Sequence, residues 1–134
     1  MICRFWQELG IAKVINRLLA GRRFEFPVER AIWLTVLHRL FASGSDRSCL
    51  RVWRRDYEIP GTETLVLHCL YRAMAWLGEK LSKDQQQHAT PFAARCTKDW
   101  LEEALLERRR DLFSKLELVF FDTTSIYFEG QEGD

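Results

Sequence analysis

The sequence predicts a mainly α-helical chain that turns to β structure only near residue 118. Three observations carry this. From residue 2 to residue 113, apolar side chains recur at three- and four-residue spacing, the period of helices with one buried face. Glycines, prolines and Ser/Thr caps interrupt that pattern at intervals of helix length. At 118–128 the composition shifts to β-branched and aromatic residues, Leu-Val-Phe-Phe-Asp-Thr-Thr-Ser-Ile-Tyr-Phe, closed by Gly130 and Gly133. The expected organisation is an N-terminal helical region over 1–115, with about five helices, and a β-containing region beginning at 116–134.

Bulk properties narrow the function classes. With 134 residues and 47% hydrophobic content, the chain is large enough for one core. A net charge of +1 excludes polyanion binding by the molecule as a whole, so any nucleic-acid surface must be a local cluster. Cys3, Cys49, Cys69 and Cys96 form no Cys-x-x-Cys pair and read as free thiols. No run reaches the length of a membrane span and no signal peptide is evident, so a cytoplasmic protein is expected.

Residues 2–20 place Phe5, Leu9, Ala12, Ile15 and Leu19 on one helical face, with Gly10 a break between two short helices. Gly21 stops the run beside Arg22 and Arg23, charges that suit a helix C-terminus. After an extended Phe24-Glu-Phe linker, Pro27 suits the first turn of a helix over 27–42. Its wheel puts Ile32, Trp33, Leu34, Val36, Leu37, Leu40 and Phe41 in a wide apolar arc and leaves Thr35, His38 and Arg39 as a polar stripe. His38 has no second ligand a turn away and reads as a boundary histidine.

Ala-Ser-Gly-Ser at 42–45 is a tight turn, and Ser45 can cap a helix over 46–55. Leu50, Trp53 and Tyr57 mark its apolar side. Arg47, Arg51, Arg54 and Arg55 fall at i, i+4, i+7 and i+8, one arginine face. Guanidinium groups suit phosphate oxygens and base edges, which makes this the strongest nucleic-acid signal in the chain. Spacing alone leaves two readings open: phosphate contacts, or a solvated face paired with acids elsewhere.

Ile59-Pro60-Gly61 is a turn, after which Thr62 can cap a helix over 63–80 with Val66, Leu70, Ala73, Met74 and Leu77 buried. The polar segment 82–91 reads as a surface loop or short helix, with a capping box at Ser82 and Gln85. Thr97 can cap a last helix over 98–113, apolar at Trp100, Leu101, Ala104, Leu105 and Leu112. Its late arginines, Arg108, Arg109 and Arg110, complement the helix dipole.

The strand at 118–128 is apolar on both faces, as in a central strand, yet carries Asp122 in its middle. A buried carboxylate needs a partner, strong hydrogen bonds or a metal. From the residues alone, Asp122 reads first as an acid hydrogen-bonded within Asp-Thr-Thr-Ser. Nothing upstream reads as a partner strand, so the sheet is expected to continue beyond residue 134, and unpaired edges are expected to favour self-association.

The run Phe-Phe-Asp-Thr-Thr-Ser-Ile-Tyr-Phe-Glu-Gly (120–130) resembles the first acidic motif of bacterial insertion-sequence transposases of the DDE class. Residues 21–31, 70–77 and 108–114 extend the similarity over nearly the whole chain. The resemblance implies an RNase H-like α/β domain, of which 116–134 would be an incomplete beginning. It makes Asp122 the first catalytic acid and a ligand of Mg²⁺ or Mn²⁺, with the remaining acids beyond residue 134. In that chemistry two ions about 3.5–4 Å apart drive in-line phosphoryl displacement. One acid does not make such a site, so the chain alone is expected to be catalytically incomplete and to hold no metal stably. The implied partner is DNA at insertion-sequence ends. The alternatives are a non-catalytic helical DNA-binding or interaction module and another RNase H-like nuclease.

Overall fold

The computed structural model describes residues 1–87 and 89–109. These residues are mainly helical, as expected, and hold no strand. The expected strand at 118–128, Asp122 and the RNase H-like region lie outside the described residues.

Gly10 does split the first segment. Helix α1 (Ile2–Glu8) and helix α2 (Ile11–Leu18) meet at this glycine, whose φ of 72° is left-handed and open to glycine at no steric cost. The break resets the helical phase. Ile15 is buried as expected, but Trp6 and Val14 join it while Phe5 is exposed. Helix α3 (Val28–Phe41) follows, with Pro27 one step before its expected place, at the N-cap.

The buried side of α3 is rotated from the expected one. Thr35 and His38, expected in a polar stripe, are buried; Leu40 and Phe41, expected in the core, are exposed. The physical reason is that both polar groups are accommodated: Thr35 Oγ1 donates to the Ala31 carbonyl at 3.1 Å, and the His38 ring packs on Trp53 at 5.3 Å. Polar residues spread around this helix, at Glu29, Arg30, Thr35, His38 and Arg39, give the wheel little with which to choose a phase.

Past helix α4 (Asp46–Ser48), a π turn (Cys49–Trp53) and helix α5 (Arg54–Asp56), helix α6 (Leu67–Leu77) is shorter than the expected 63–80. Thr62 does not cap it. Its hydroxyl turns back to donate to the Ile59 carbonyl at 2.7 Å, which closes the 59–62 turn, and Val66 takes the N-cap position. Val66, expected in the buried stripe, is exposed. Helices α3 and α6 form the central pair, and α2 touches α1, α3 and helix α7 (Thr97–Arg108). Trp33, Leu34, Leu65 and Leu70 fill the centre. Burying each aliphatic among them is worth roughly 1.5–3 kcal/mol.

Between α6 and α7 the chain makes a stapled excursion. The Ser82–Gln85 capping box forms around a short 3₁₀ turn, Lys83–Gln85. The Gln86 side-chain amide donates to the carbonyls of Leu81 and Arg95 and accepts from the Arg95 N–H, so one side chain ties the two ends of the loop together. Helix α7 starts one residue before the expectation, with Cys96 at the N-cap; its backbone N–H donates to Asp99 at 2.8 Å. Two of the late arginines serve a neighbouring helix. Arg109 donates to the Glu8 carbonyl at the end of α1, and the Arg108 guanidinium lies against Gly10.

Candidate nucleic-acid interface

The segment that carries the arginine face is helical from Asp46 to Asp56, but it is not one uniform α-helix. Ser45 caps it as expected, its hydroxyl accepting from the Ser48 N–H at 3.2 Å. Helix α4 (Asp46–Ser48) then passes into a π turn (Cys49–Trp53) and returns to α geometry in helix α5 (Arg54–Asp56). A π turn is wider than an α turn and is frequent at functional sites. Cys49 is buried at its start, and the Trp53 ring packs between His38 and Tyr57, 5.3 Å from each.

The four arginines come together around one open hollow of about 300 Å³, whose floor is Leu50, Val66 and Leu67. They are not equivalent. Arg47, Arg51 and Arg55 are exposed, and among the described residues none of them has a carboxylate within salt-bridge distance. Arg54 is half-buried and turned inward: its Nη1 donates to the Thr62 carbonyl at 3.0 Å and to the Leu65 carbonyl. Arg54 thus clamps the 59–66 turn that supplies Val66 to the floor of the hollow. The nearby Glu63 is tied up by backbone: N–H groups of Glu63 itself and of Gly61 hold its carboxyl below the ordinary range.

Two other arginines are engaged elsewhere. Arg22 forms a two-pronged ion pair with Glu79 at 2.7 and 2.9 Å, joining the end of the first helical segment to the end of α6. Arg72 lies over the rings of Phe24 and Phe26. Arg17, Arg23 and Arg39 are also exposed without a carboxylate partner among the described residues; the arginine hollow is distinguished by gathering three such guanidinium groups around one hollow.

Sequence reasoning placed Tyr57 with the apolar side of this helix. It stands instead just past the helix end, 57% exposed, with its ring on Trp53. Phe41, at the end of α3, is likewise 62% exposed. The two line a second open hollow of about 450 Å³ together with Leu37, Trp53, Glu58 and Ile59. A smaller hollow of about 250 Å³ lies between this one and the arginines, sharing Tyr57, Glu58 and Ile59 with the first and Arg54 and Arg55 with the second.

Asp122 lies outside the described residues, and no contact of its carboxylate enters the description. Among the described residues, no group of three or more His, Cys, Asp or Glu side chains is placed to hold a metal ion. No described helix is long and apolar enough to cross a membrane. No protein-family model, curated protein or solved structure matches this chain.

Proposed function

We propose that the chain is the DNA-holding helical part of an insertion-sequence transposase, with Asp122 as the first metal-binding acid of the catalytic region. The supporting observation is the trio Arg47, Arg51 and Arg55, exposed without acidic partners along one helical segment. Guanidinium groups left in water at close spacing are suited to phosphate oxygens, each binding event releasing condensed counterions from the nucleic acid. The resemblance of 120–130 to the first acidic motif supplies the rest of the reading. On it, the DNA is an insertion-sequence end, the ions recruited at Asp122 are Mg²⁺ or Mn²⁺, and the protein acts in the cytoplasm. Self-association belongs to the same reading.

The test is the salt dependence of DNA binding. Arg51→Ala with Arg55→Ala should weaken binding to all sequences alike and reduce the slope of log K against log salt by about 0.9 per lost phosphate contact. An unchanged slope would remove these residues from the interface. A DNA-binding module without strand-cleaving chemistry would share the arginine surface. The two readings part at Asp122: in a protein that also supplies the remaining acids, Asp122→Asn should abolish metal-dependent strand cleavage on the transposase reading, whereas a DNA-binding module has no such cleavage to lose, and DNA binding is spared in both.

A further inference from the structure

We infer that the aromatic hollow beside the arginines takes the base of one unpaired nucleotide in the strand whose phosphates those arginines hold. The inference rests on the nucleic-acid reading of the arginine surface and adds a second contact type to it.

Position comes first. The hollow lined by Phe41, Trp53, Tyr57 and Glu58 is joined to the arginine hollow by the intermediate one, which shares residues with both. A strand lying along Arg47, Arg51 and Arg55 therefore reaches the aromatic hollow around the end of α5, past Tyr57. At about 450 Å³ it falls within the roughly 300–1,000 Å³ of small-molecule sites.

Chemistry selects the occupant. The core tryptophans Trp6, Trp33 and Trp76 are buried, whereas Phe41 and Tyr57 present their rings to solvent. Tyr57 is held by its contact with Trp53, which is itself packed on His38, so the Tyr57 side of the aromatic surface is braced. Braced aromatic rings beside a basic track are how single-stranded nucleic acids are bound, with bases stacking on the rings and phosphates on the cations. Glu58 on the rim fits the same occupant. Its carboxylate repels phosphate but accepts a hydrogen bond from the exocyclic amine of a base. An apolar helix as occupant would use neither the carboxylate nor the adjoining cations.

The experiment compares a short matched duplex with the same duplex carrying one mismatched pair, by fluorescence anisotropy on the full 134-residue chain. A mismatch lowers the cost of unstacking a base. The chain should prefer the mismatched probe by about tenfold, the scale of one base–aromatic stack. Phe41→Ala with Tyr57→Ala should erase that preference, and Tyr57→Phe should retain it. Arg51→Ala with Arg55→Ala should weaken both probes equally. Equal binding of the two probes by the unmodified chain, or a preference that survives the aromatic double substitution, overturns the inference while leaving the arginine surface standing. Absence of salt-dependent binding to the matched duplex overturns the nucleic-acid reading itself, and the base site with it.

Discussion

Glu29 gives the sharpest test of how this fold is held together. It is a buried carboxylate at the start of α3 that accepts three hydrogen bonds: one from the Trp6 indole N–H at 2.6 Å, and two from Arg30, at 2.6 Å from Nε and 2.5 Å from Nη2. The Trp6 and Trp33 rings pack on each other at 4.9 Å, and the Arg30 guanidinium lies over Trp33 at 5.6 Å. The cluster fastens α1 to α3 across 23 residues of sequence. Glu29→Ala strands the indole donor of Trp6, a residue 6% exposed, and removes the partner of Arg30. A buried donor left unsatisfied costs about 1–3 kcal/mol. Breaking a buried ion pair by deleting one partner costs about 3–5 kcal/mol. The Arg30 side chain keeps 25% of its exposure, so water offsets part of the second term. The expected loss is about 3 kcal/mol for Glu29→Ala and about 1–2 kcal/mol for Glu29→Gln, which keeps an acceptor for Trp6 but loses the charge.

Urea unfolding followed by circular dichroism measures this directly. The midpoint should fall with the slope m unchanged, because the native surface is little altered. Glu25, exposed in the linker before Pro27, is the control, and Glu25→Ala should stay within about 0.5 kcal/mol. If Glu29→Ala costs no more than Glu25→Ala, the cluster does not fasten α1, and the account of the N-terminal packing is wrong.

Three further outcomes follow from the same geometry. Arg54→Ala should cost about 2 kcal/mol in urea unfolding, because two turn carbonyls lose a charged donor, while Arg51→Ala should stay within about 0.5 kcal/mol; equal costs would show that Arg54 is not a clamp. The Cys96 N–H holds the Asp99 carboxyl below its ordinary range, so its stabilisation is present above the unfolded value and is lost as pH falls through the folded one. Thermal melts of Asp99→Asn and the parent should therefore differ above about pH 4 and converge in stronger acid; a difference that grew in acid would reverse the sign. Burial pushes the Cys49 thiol up to about 11, so at mildly alkaline pH iodoacetamide should label exposed Cys3 and reach Cys49 only on unfolding, which peptide mass mapping would check.

What was legible in the sequence was local. Gly10 as a break, Ser45 as a cap and the Ser82–Gln85 box are each settled by residues a few positions apart, and all three form. What failed was either a choice between two local partners or a partner far away in the sequence. Thr62 has the chemistry of an N-cap, but a hydroxyl can accept from a helix N–H or donate to a turn carbonyl, and here it donates to the Ile59 carbonyl. Thr35 and His38 look like a wet stripe until the Ala31 carbonyl and the Trp53 ring are in place. Glu29 gave no signal, since nothing in a helical wheel announces an indole 23 positions upstream. The arginine face was visible as spacing, and the different task of Arg54 within it was not.

That difference has a geometric origin in the π turn. In a uniform α-helix of 3.6 residues per turn, residues 47 and 55 would lie about 80° apart around the axis, and Arg51 would lie between them. The wider turn at Cys49–Trp53 reduces the rotation per residue and draws residues four apart toward one line. Arg47, Arg51 and Arg55 share that spacing; Arg54 does not, and it reaches the Thr62 and Leu65 carbonyls instead. The turn is held open by tertiary contacts on its inner side, where Cys49 is buried and Trp53 is packed on His38. The packing that buries His38 against expectation therefore also holds the π turn that carries Arg51. A substitution that relaxes Trp53, although it touches no arginine, should disturb the charge row before it unfolds the chain.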